Sequence, residues 1–366
     1  ITTINGDTTG TITVTNTIDV NGTAAQVKAA FDAIDTNTGN ATATLSDVHT
    51  LAELKAINNA TSGTITLNSY AVALSGSTAD VKAALAGTFA DTYTGTVTIG
   101  DANGADIQAT DITTINGDTT GTITATNTID VNGTAAQVKA AFDAIDTNTG
   151  NATATLSDAH TLAELKSINN ATSGTITLND YTVALSGSTA DVEAALAGTF
   201  GAAYTGNVTL SDAHNLAQLK AINNATGGSI TLNDASVVLS GSSADVAAAL
   251  TGITGYTGAV TLNDAHNLAQ LKTINNATSG TITLNSYAVA LSGSTADVKA
   301  ALAGTFGDTY TGNVTIGDAN GTDIQATDIT TINGDTTGTI TVTNTIDVNG
   351  TAAQVKAAFD AIDTNT

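Results

Sequence analysis

Apolar and polar residues alternate in two different ways along the segment TATLSDAHTLAELKSINNATSGTITL, which begins at position 153. In its first four residues, Ala154 and Leu156 fall on one face and threonine on the other, which predicts a half-buried β-strand. Further along, Leu162, Leu165 and Ile168 are spaced so that they share one face of a helix. The segment is therefore predicted to be a strand followed by an amphipathic helix.

A capping box marks the start of this predicted helix. The Thr161 side chain is expected to accept the N–H of Glu164, and the Glu164 carboxylate to accept the N–H of Thr161. The same combination of residue types occurs in the related segments as Thr50/Glu53, Asn215/Gln218 and Asn267/Gln270. Asn169 and Asn170 are predicted to end the helix in the left-handed conformation.

The next residues predict two more strands and a second helix. GTITL is a strand with Ile176 and Leu178 inward, and Asn179–Asp180 form a two-residue hairpin turn into a third strand, YTVALSG. The segment STADVEAALAG then begins a second helix with the pair Ser188 and Asp191. The order of elements is β-α-β-β-α.

The unit repeats along the whole chain, in two types. The common type carries DAHTLAELK or a close variant. The other carries the Asp-rich segment GDANGADIQATDITTINGD from Gly100, repeated from Gly317 with Thr322 in place of Ala105, and is predicted to have a shortened first helix. Residues 1–38 recur unchanged as residues 329–366. The predicted division is a partial Asp-rich unit at 1–41, common units at 42–95, 153–206, 207–258 and 259–312, and Asp-rich units at 96–152 and 313–366.

The fold class predicted from this repetition is an α/β repeat protein: an elongated, solenoid-like tandem array of β-α-β-β-α units of about 54 residues, six in each super-repeat of 328 residues. A unit of that size buries too little surface to be stable alone, so neighbouring units are expected to share their cores. A continuous solenoid and a row of compact beads both fit this pattern. The chain is expected to be a window of a longer array.

Composition narrows the classes of partner. The 366 residues include 33 acidic and 9 basic residues, with a net charge of −24 and no cysteine. Such a chain repels phosphate, so nucleic acid is not an expected partner. No stretch is apolar enough to insert into a membrane. Because clustered carboxylates need counter-ions, a calcium-rich exterior would suit the chain.

The recurring Asp and His residues form one candidate site. Asp158 and His160 and their equivalents could begin a metal site, although zinc needs three or four converging ligands and each unit offers one histidine. In the alternative interpretation, the histidine packs on the first turn of the helix or bonds the aspartate. The equivalents are Asp47/His49, Asp212/His214 and Asp264/His266.

The Asp-rich loop is the stronger candidate for binding an ion. Its closely spaced oxygen ligands around a glycine predict a calcium site, formed by Asp101, Asn103, Asp106 and Asp111 and again by Asp318, Asn320, Asp323 and Asp328. The same residue types also form turns without any ion. No other cofactor is predicted.

Three further functions receive little support from the residues. Catalysis lacks a nucleophile with a fixed base and an orienting acid, so no catalytic residue is predicted. Ice binding through threonine-rich strands such as TGTITVTNT would need a flat face without helices. Glycosylation at NAT sequons rests on a motif that this composition generates by chance.

The motifs TLSDAHTLAELKSINNATSGTITL and VALSGSTADVKAALAG resemble repeats of giant Thr/Asp-rich surface and secreted proteins of marine cyanobacteria and other Gram-negative bacteria. This resemblance covers essentially the whole chain. It implies a location outside the cell or at its surface, and a structural or adhesive role, often with calcium.

Together these observations predict a non-enzymatic extracellular structural protein. It would form the repetitive shaft of a self-assembling filament, sheath, surface layer or stalk, with copies of itself as partners, end to end or side by side. The alternative is the extender region of a calcium-stabilised bacterial adhesin whose binding head lies outside this chain.

Overall fold

The computed structural model describes every residue from Ile1 to Thr366 and contains 14 helices and 25 short strands, so the chain belongs to the α/β class. The helices are α1 (Thr2–Asp7), α2 (Ala24–Asp32), α3 (Leu51–Ala60), α4 (Thr78–Leu85), α5 (Ala109–Asp118), α6 (Ala135–Ala144), α7 (Leu162–Ala171), α8 (Thr189–Leu196), α9 (Leu216–Ala225), α10 (Ser243–Leu250), α11 (Leu268–Ala277), α12 (Thr295–Leu302), α13 (Ala326–Asp335) and α14 (Ala352–Ala361).

The strands are two to four residues long. They are β1 (Thr13–Val14), β2 (Asp19–Gly22), β3 (Thr36–Asn37), β4 (Thr42–Leu45), β5 (Ile65–Thr66), β6 (Leu74–Gly76), β7 (Val97–Ile99), β8 (Asp106–Gln108), β9 (Ile123–Ala125), β10 (Asp130–Gly133), β11 (Thr147–Asn148), β12 (Thr153–Leu156), β13 (Ile176–Thr177), β14 (Leu185–Gly187), β15 (Val208–Leu210), β16 (Ile230–Thr231), β17 (Leu239–Gly241), β18 (Val260–Leu262), β19 (Ile282–Thr283), β20 (Leu291–Gly293), β21 (Val314–Ile316), β22 (Asp323–Gln325), β23 (Ile340–Val342), β24 (Asp347–Asn349) and β25 (Thr364–Asn365).

All pairs of these strands are parallel, and the paired residues are separated by a nearly constant length of chain. The separation runs from 21 residues, between Leu239 and Val260, to 26 residues, between Val97 and Ile123. Parallel partners require a crossover, and here each crossover contains one helix. The repeating structural element is therefore a turn of strand and helix, and a 54-residue sequence repeat contains two helices.

The chain divides into two compact units. The first comprises Ile1–Asp180 and Gly198–Ala202, and the second Tyr181–Ala197 and Ala203–Thr366. The first unit holds four parallel sheets, with strand orders β1-β3, β2-β4-β5, β6-β7-β9-β11 and β8-β10-β12-β13. In this unit consecutive helices from α2 through α7 pack against each other, the last of these contacts being that of α6 with α7.

The second unit is built in the same way. Its sheets have the strand orders β14-β15-β16, β17-β18-β19, β20-β21-β23-β25 and β22-β24. Each helix from α8 to α13 packs against the next. Within each unit the repeated packing of helix on helix and strand on strand is consistent with a tandem repeat.

The predicted helix starts and helix faces are confirmed. Thr161 accepts the N–H of Glu164 at 3.3 Å, and the Glu164 carboxylate accepts the N–H of Thr161 at 2.8 Å. Leu165 and Ile168 on the predicted face are fully buried, and Leu162 on the same face is half-buried. Complete capping boxes also begin α2, α3, α6, α9, α11 and α14.

The hairpin predicted at Asn179–Asp180 is wrong. Strand β13 pairs in parallel with β12, through Ala154 and Ile176, and β14 pairs in parallel with β15. In the equivalent segment of the first unit, β5 pairs with β4 and β6 with β7, again in parallel. Each strand takes its partner from a neighbouring turn, so the short connection between the two strands is not a hairpin.

The predicted end of the first helix is also wrong. Asn169 and Asn170 lie inside α7, and Thr172 follows in an extended conformation with φ of −145°. The Thr172 hydroxyl donates to the carbonyl oxygen of Ala152 and accepts the N–H of Gly174 at 2.9 Å, so a threonine terminates the helix. Left-handed asparagines occur elsewhere, at Asn40 and Asn151.

The Asp-rich segments differ from their prediction too. Helices α5 and α13 are ten residues long, the same as α7, so the first helix is not shortened. The extra residues before them contain an additional strand, β8 or β22. None of the helices has the length and apolar character needed to cross a membrane.

Candidate functional site

The recurring histidines are held directly before the N-caps of the first helices. His49 precedes Thr50, the N-cap of α3, and only 3% of its surface is exposed. Its Nε2 atom lies 3.2 Å from the hydroxyl of Tyr93, which is itself 1% exposed. The same pair occurs as His214 with Tyr256 at 3.3 Å and His266 with Tyr310 at 3.1 Å.

Each tyrosine hydroxyl also bonds to the main chain, which decides where the histidine proton lies. The Tyr93 hydroxyl donates its one proton to the carbonyl oxygen of Val72 at 2.6 Å. Nε2 of His49 must therefore be the donor to the tyrosine oxygen. In this neutral tautomer Nδ1 carries a lone pair, and Nδ1 of His49, like that of His214 and His266, is buried without a hydrogen-bond partner.

Burial keeps both members of the pair neutral. Desolvation lowers the pKa of His49 below its usual value, and the nearby Glu53 carboxylate opposes this only in part. Burial lowers the pKa of His214 and of His266 in the same way. Desolvation and the charge of Asp234 raise the pKa of Tyr256 to about 12. At neutral pH these pairs are uncharged hydrogen-bonded contacts of the core.

The aspartate of each Asp/His motif bonds to a neighbouring helix instead of to its histidine. Asp47 accepts the N–H of Ala24 at 2.7 Å, at the start of α2. Asp158 accepts the N–H of Ala135 at 2.7 Å, at the start of α6. Carboxylates at these positions interact favourably with the unpaired N–H groups of a helix N-terminus. Both residues therefore have contacts within the fold, but the histidine bonds to a tyrosine and not to the aspartate that the alternative interpretation gave it.

The residues of the first Asp-rich loop bond to several different partners. The Asp101 carboxylate accepts the N–H and the hydroxyl of Thr78 at 2.7 and 2.6 Å, at the start of α4. The Asn103 side-chain oxygen accepts the N–H of Thr128 at 2.9 Å. Asp111 forms an ion pair with Lys82, and Asp106 is the exposed first residue of β8.

The second loop repeats this arrangement in the second unit. Asp318 accepts from Thr295, and Asn320 accepts the N–H of Thr345 at 2.9 Å. Asp328 forms an ion pair with Lys299 at 2.5 Å. The remaining member, Asp323, accepts from the side-chain amide of Asn349 at 3.1 Å.

Both loops fold as turns around a glycine. The N–H of Ala105 bonds to the carbonyl oxygen of Ala102 at 3.0 Å, and Gly104 between them has φ of +75°. Gly321 has φ of +77° in the second loop. Nowhere in the chain do three or more His, Cys, Asp or Glu side chains converge in an arrangement that could hold a metal ion. The calcium site thus stays a prediction, with its candidate ligands distributed over separate contacts.

Ion pairs of one kind join successive helices in both units. Lys55 of α3 pairs with Asp80 of α4, and the hydrogen bond from Lys55 lowers the pKa of Asp80. The pairs Lys220/Asp245 and Lys272/Asp297 repeat this contact. An open cleft lies beside each pair, of about 460 Å³ at Lys55, 730 Å³ at Lys220 and 580 Å³ at Lys272. Their common position makes them a repeated surface feature.

Sequence reasoning missed the tyrosines of the buried pairs. Each follows its histidine at a similar distance along the chain, 44 residues for Tyr93 and Tyr310 and 42 residues for Tyr256. This recurring separation in the sequence could have been used to predict the histidine–tyrosine pairs. No protein-family model matches this sequence, and no curated protein is significantly similar to it.

Proposed function

We propose that this chain is a non-enzymatic structural protein that forms the repetitive shaft of a self-assembling filament, sheath, surface layer or stalk outside the cell. In this proposal the parallel ladders and stacked helices of each unit continue along the molecule as an elongated solenoid. The partners are other copies of the chain.

The observation that carries the proposal is the recurrence of the same buried contact with the same geometry. Ring centroids are 6.0 Å apart and ring planes are inclined at 56° in His49/Tyr93, in His214/Tyr256 and in His266/Tyr310. Because the same contact joins each of these turns to its neighbours, the turns have similar structures. Turns with similar structures present similar surfaces at regular intervals. Regularly spaced identical surfaces are what an open-ended polymer requires.

The absence of enzymatic activity is proposed from the way the reactive side chains are used. The histidines are 3–4% exposed, so their rings are closed to a substrate. Asp47, Asp158 and Asp212 accept hydrogen bonds from helix N-termini. Groups that are already bonded within the core and at helix ends are poorly placed for proton transfer.

The proposed location and partners have two supports. The resemblance to giant repetitive surface proteins suggests a position outside the cell. The net charge of −24 makes nucleic acid an unfavourable partner, because both surfaces are negative and repel each other.

The same charge favours the alternative function as an adhesin extender. Like-charged shafts repel one another, and this opposes side-by-side assembly unless counter-ions neutralise the carboxylates. An extender would remain a single rod, with a binding head supplied elsewhere.

Negative-stain electron microscopy of the purified protein, at low and at physiological salt, tests the proposal. Ordered fibres or sheets that form as repulsion is screened are the expected result. Separate unassociated rods under both conditions would favour the extender. Isolated globules would contradict both functions.

A further inference from the structure

One sheet of the first unit carries hydroxyl side chains at matching positions in all four of its strands. Ser75 of β6 is the register partner of Thr98 in β7, Thr98 pairs with Thr124 in β9, and Thr124 pairs with Thr147 in β11. Because neighbouring strands lie about 4.8 Å apart, the four side chains recur at that spacing. We call such a series, with one Ser or Thr from each paired strand, a hydroxyl row.

Two sheets of the second unit carry the same feature. In both, a serine of the first strand is followed by a threonine in each of the next two strands, and every member is exposed or half-buried. The hydroxyl rows consist of Ser186, Thr209 and Thr231 in one sheet and of Ser240, Thr261 and Thr283 in the other.

The hydroxyl rows lie on the face of the sheet opposite to the helices. Val208 and Leu210, on either side of Thr209 in β15, are 0% and 1% exposed, and α8 packs against this strand. Because successive side chains of a strand point to opposite faces, Thr209 points away from that helix, and it is exposed. Parallel sheets usually have both faces covered. The face with the hydroxyl row is therefore available for contact with another molecule.

This face carries no charge in the hydroxyl rows, although the chain is strongly acidic. The net charge is −24, and all nine lysines lie on helices. Asn207, two residues before Thr209, is uncharged as well. By contrast, the sheet that contains β8 and β10 has Asp106 directly opposite Asp130. Two copies of the chain therefore meet little repulsion where their hydroxyl rows face each other.

The chemistry of a hydroxyl row makes it complementary to another hydroxyl row. A hydroxyl both donates and accepts hydrogen bonds, whereas a carboxylate only accepts and an ammonium only donates. Two facing rows can therefore satisfy each other, and their spacing is the same because both are set by parallel strands. The methyl groups of threonine add apolar contact between them. A second copy of this chain is the partner that such a face fits.

We propose that copies of this chain associate side by side, with the hydroxyl rows of one copy packed against those of the next. This rests on the proposed self-assembling shaft and supplies its lateral contact. Sheets that pack face to face lie about 10 Å apart, which lets short side chains from both sheets meet. Because one hydroxyl row covers little surface, stable association needs several rows to engage together.

A charge placed in the hydroxyl rows tests the contact in the full-length chain. The double variant Thr209→Asp/Thr261→Asp puts one carboxylate into each row of the second unit. We expect at least about a tenfold weaker association than in wild type, by sedimentation velocity at physiological salt, because the contact would bury like charges. The matched control, Thr110→Asp/Thr327→Asp, adds the same charge at exposed threonines of α5 and α13. Association equal to wild type in the first variant, or equally weakened in both, would contradict the proposal.

Thiol labelling gives a second measurement that needs no added charge. The chain has no cysteine, so Thr209→Cys and Thr110→Cys each introduce a single reactive thiol. At concentrations where the protein associates, a maleimide should label Thr209→Cys several-fold more slowly than in dilute solution. Labelling of Thr110→Cys should proceed at the same rate in both. Equal rates at Thr209→Cys in dilute and associated protein would overturn the proposal.

These experiments separate the inference from the proposed function. Fibres or sheets that form equally well from Thr209→Asp/Thr261→Asp would retain the structural function and reject the hydroxyl rows as its lateral contact. Wild-type protein that stays as single rods would reject the lateral contact and favour the extender. Ice crystals that are shaped by monomeric wild type but not by this variant would assign the face to ice and also overturn the proposal.

Discussion

The hydroxyl of Tyr310 lies 3.1 Å from Nε2 of His266, a residue 44 positions earlier in the chain. The same hydroxyl donates to the carbonyl oxygen of Val289 at 2.6 Å. One buried oxygen thereby connects three segments: the start of α11, the segment before β20 and the segment before β21. Contacts of this kind fix the distance between successive turns of the second unit.

Removing that hydroxyl should destabilise the protein. In Tyr310→Phe the ring still fills its site, but the carbonyl oxygen of Val289 and the N–H of His266 both lose a buried partner. We expect a loss of about 1–3 kcal/mol in the free energy of unfolding, measured with urea. The control is Tyr287→Phe: Tyr287 is half-buried and accepts the N–H of Leu284 at 3.2 Å, so water can replace it. If the two substitutions lowered the free energy of unfolding equally, the buried tyrosine–histidine pair would contribute no more to stability than a half-buried hydrogen bond.

The histidine pairs should make stability fall in weak acid. Burial lowers the folded-state pKa of His49, His214 and His266 below the unfolded value of 6.5. The unfolded chain therefore binds more protons than the folded protein once the pH has fallen to about 6.5. Stability from these residues is fully present above that pH and is lost as the pH falls further, toward the folded-state pKa.

Thermal melting at a series of pH values checks this expectation. The midpoint of wild type should decrease between about pH 7 and pH 5, a range above the usual titration of aspartate. A variant with every histidine replaced by glutamine keeps an N–H donor for the tyrosine but cannot titrate. Its midpoint should change much less over the same range, and parallel curves for the two proteins would remove the histidines from the explanation.

Local features of the fold could be predicted from the sequence. The capping boxes, such as Thr161 with Glu164, depend on residues three positions apart, so their signal lies within a few letters. The buried helix positions Leu165 and Ile168 follow from periodicity alone. These elements form the same structure wherever their sequence recurs.

Strand pairing and the histidine partners depend on contacts between successive turns, which no short stretch of the sequence displays. The hairpin at Asn179–Asp180 was the natural expectation for two neighbouring strands. Ile176 instead pairs with Ala154, one turn earlier. His49 likewise bonds to Tyr93, far along the chain. Local patterns predict partners that are close in the sequence, whereas the stacking of turns pairs residues that are more than twenty positions apart.

The calcium prediction has a direct test. Asp101 and Asp111 already bond to Thr78 and Lys82, so binding an ion would require these contacts to break. We expect the melting midpoint to be the same in excess EGTA and in millimolar calcium. A higher midpoint in calcium, abolished by Asp106→Asn together with Asp323→Asn, would instead establish a site at the two loops. The exposed pair Asp91→Asn and Asp308→Asn serves as a control for charge alone.

Two glycines only a few residues apart should respond to alanine in opposite directions. Gly121 lies against the backbone of the preceding turn, and a Cβ there would overlap the carbonyl oxygen of Gly95. The same contact occurs at Gly206/Gly228, Gly258/Gly280 and Gly312/Gly338, so at each of these positions the backbones of two stacked turns lie close together. Gly117, within α5, has nothing near the position that a Cβ would occupy.

We expect Gly121→Ala to destabilise the protein by about 1–3 kcal/mol, because the turns must move apart. Gly117→Ala should stabilise it by up to about 1 kcal/mol, because alanine favours the helix. Urea unfolding of both variants measures the two effects, and a neutral Gly121→Ala would mean that the turns are not held in close contact at this position.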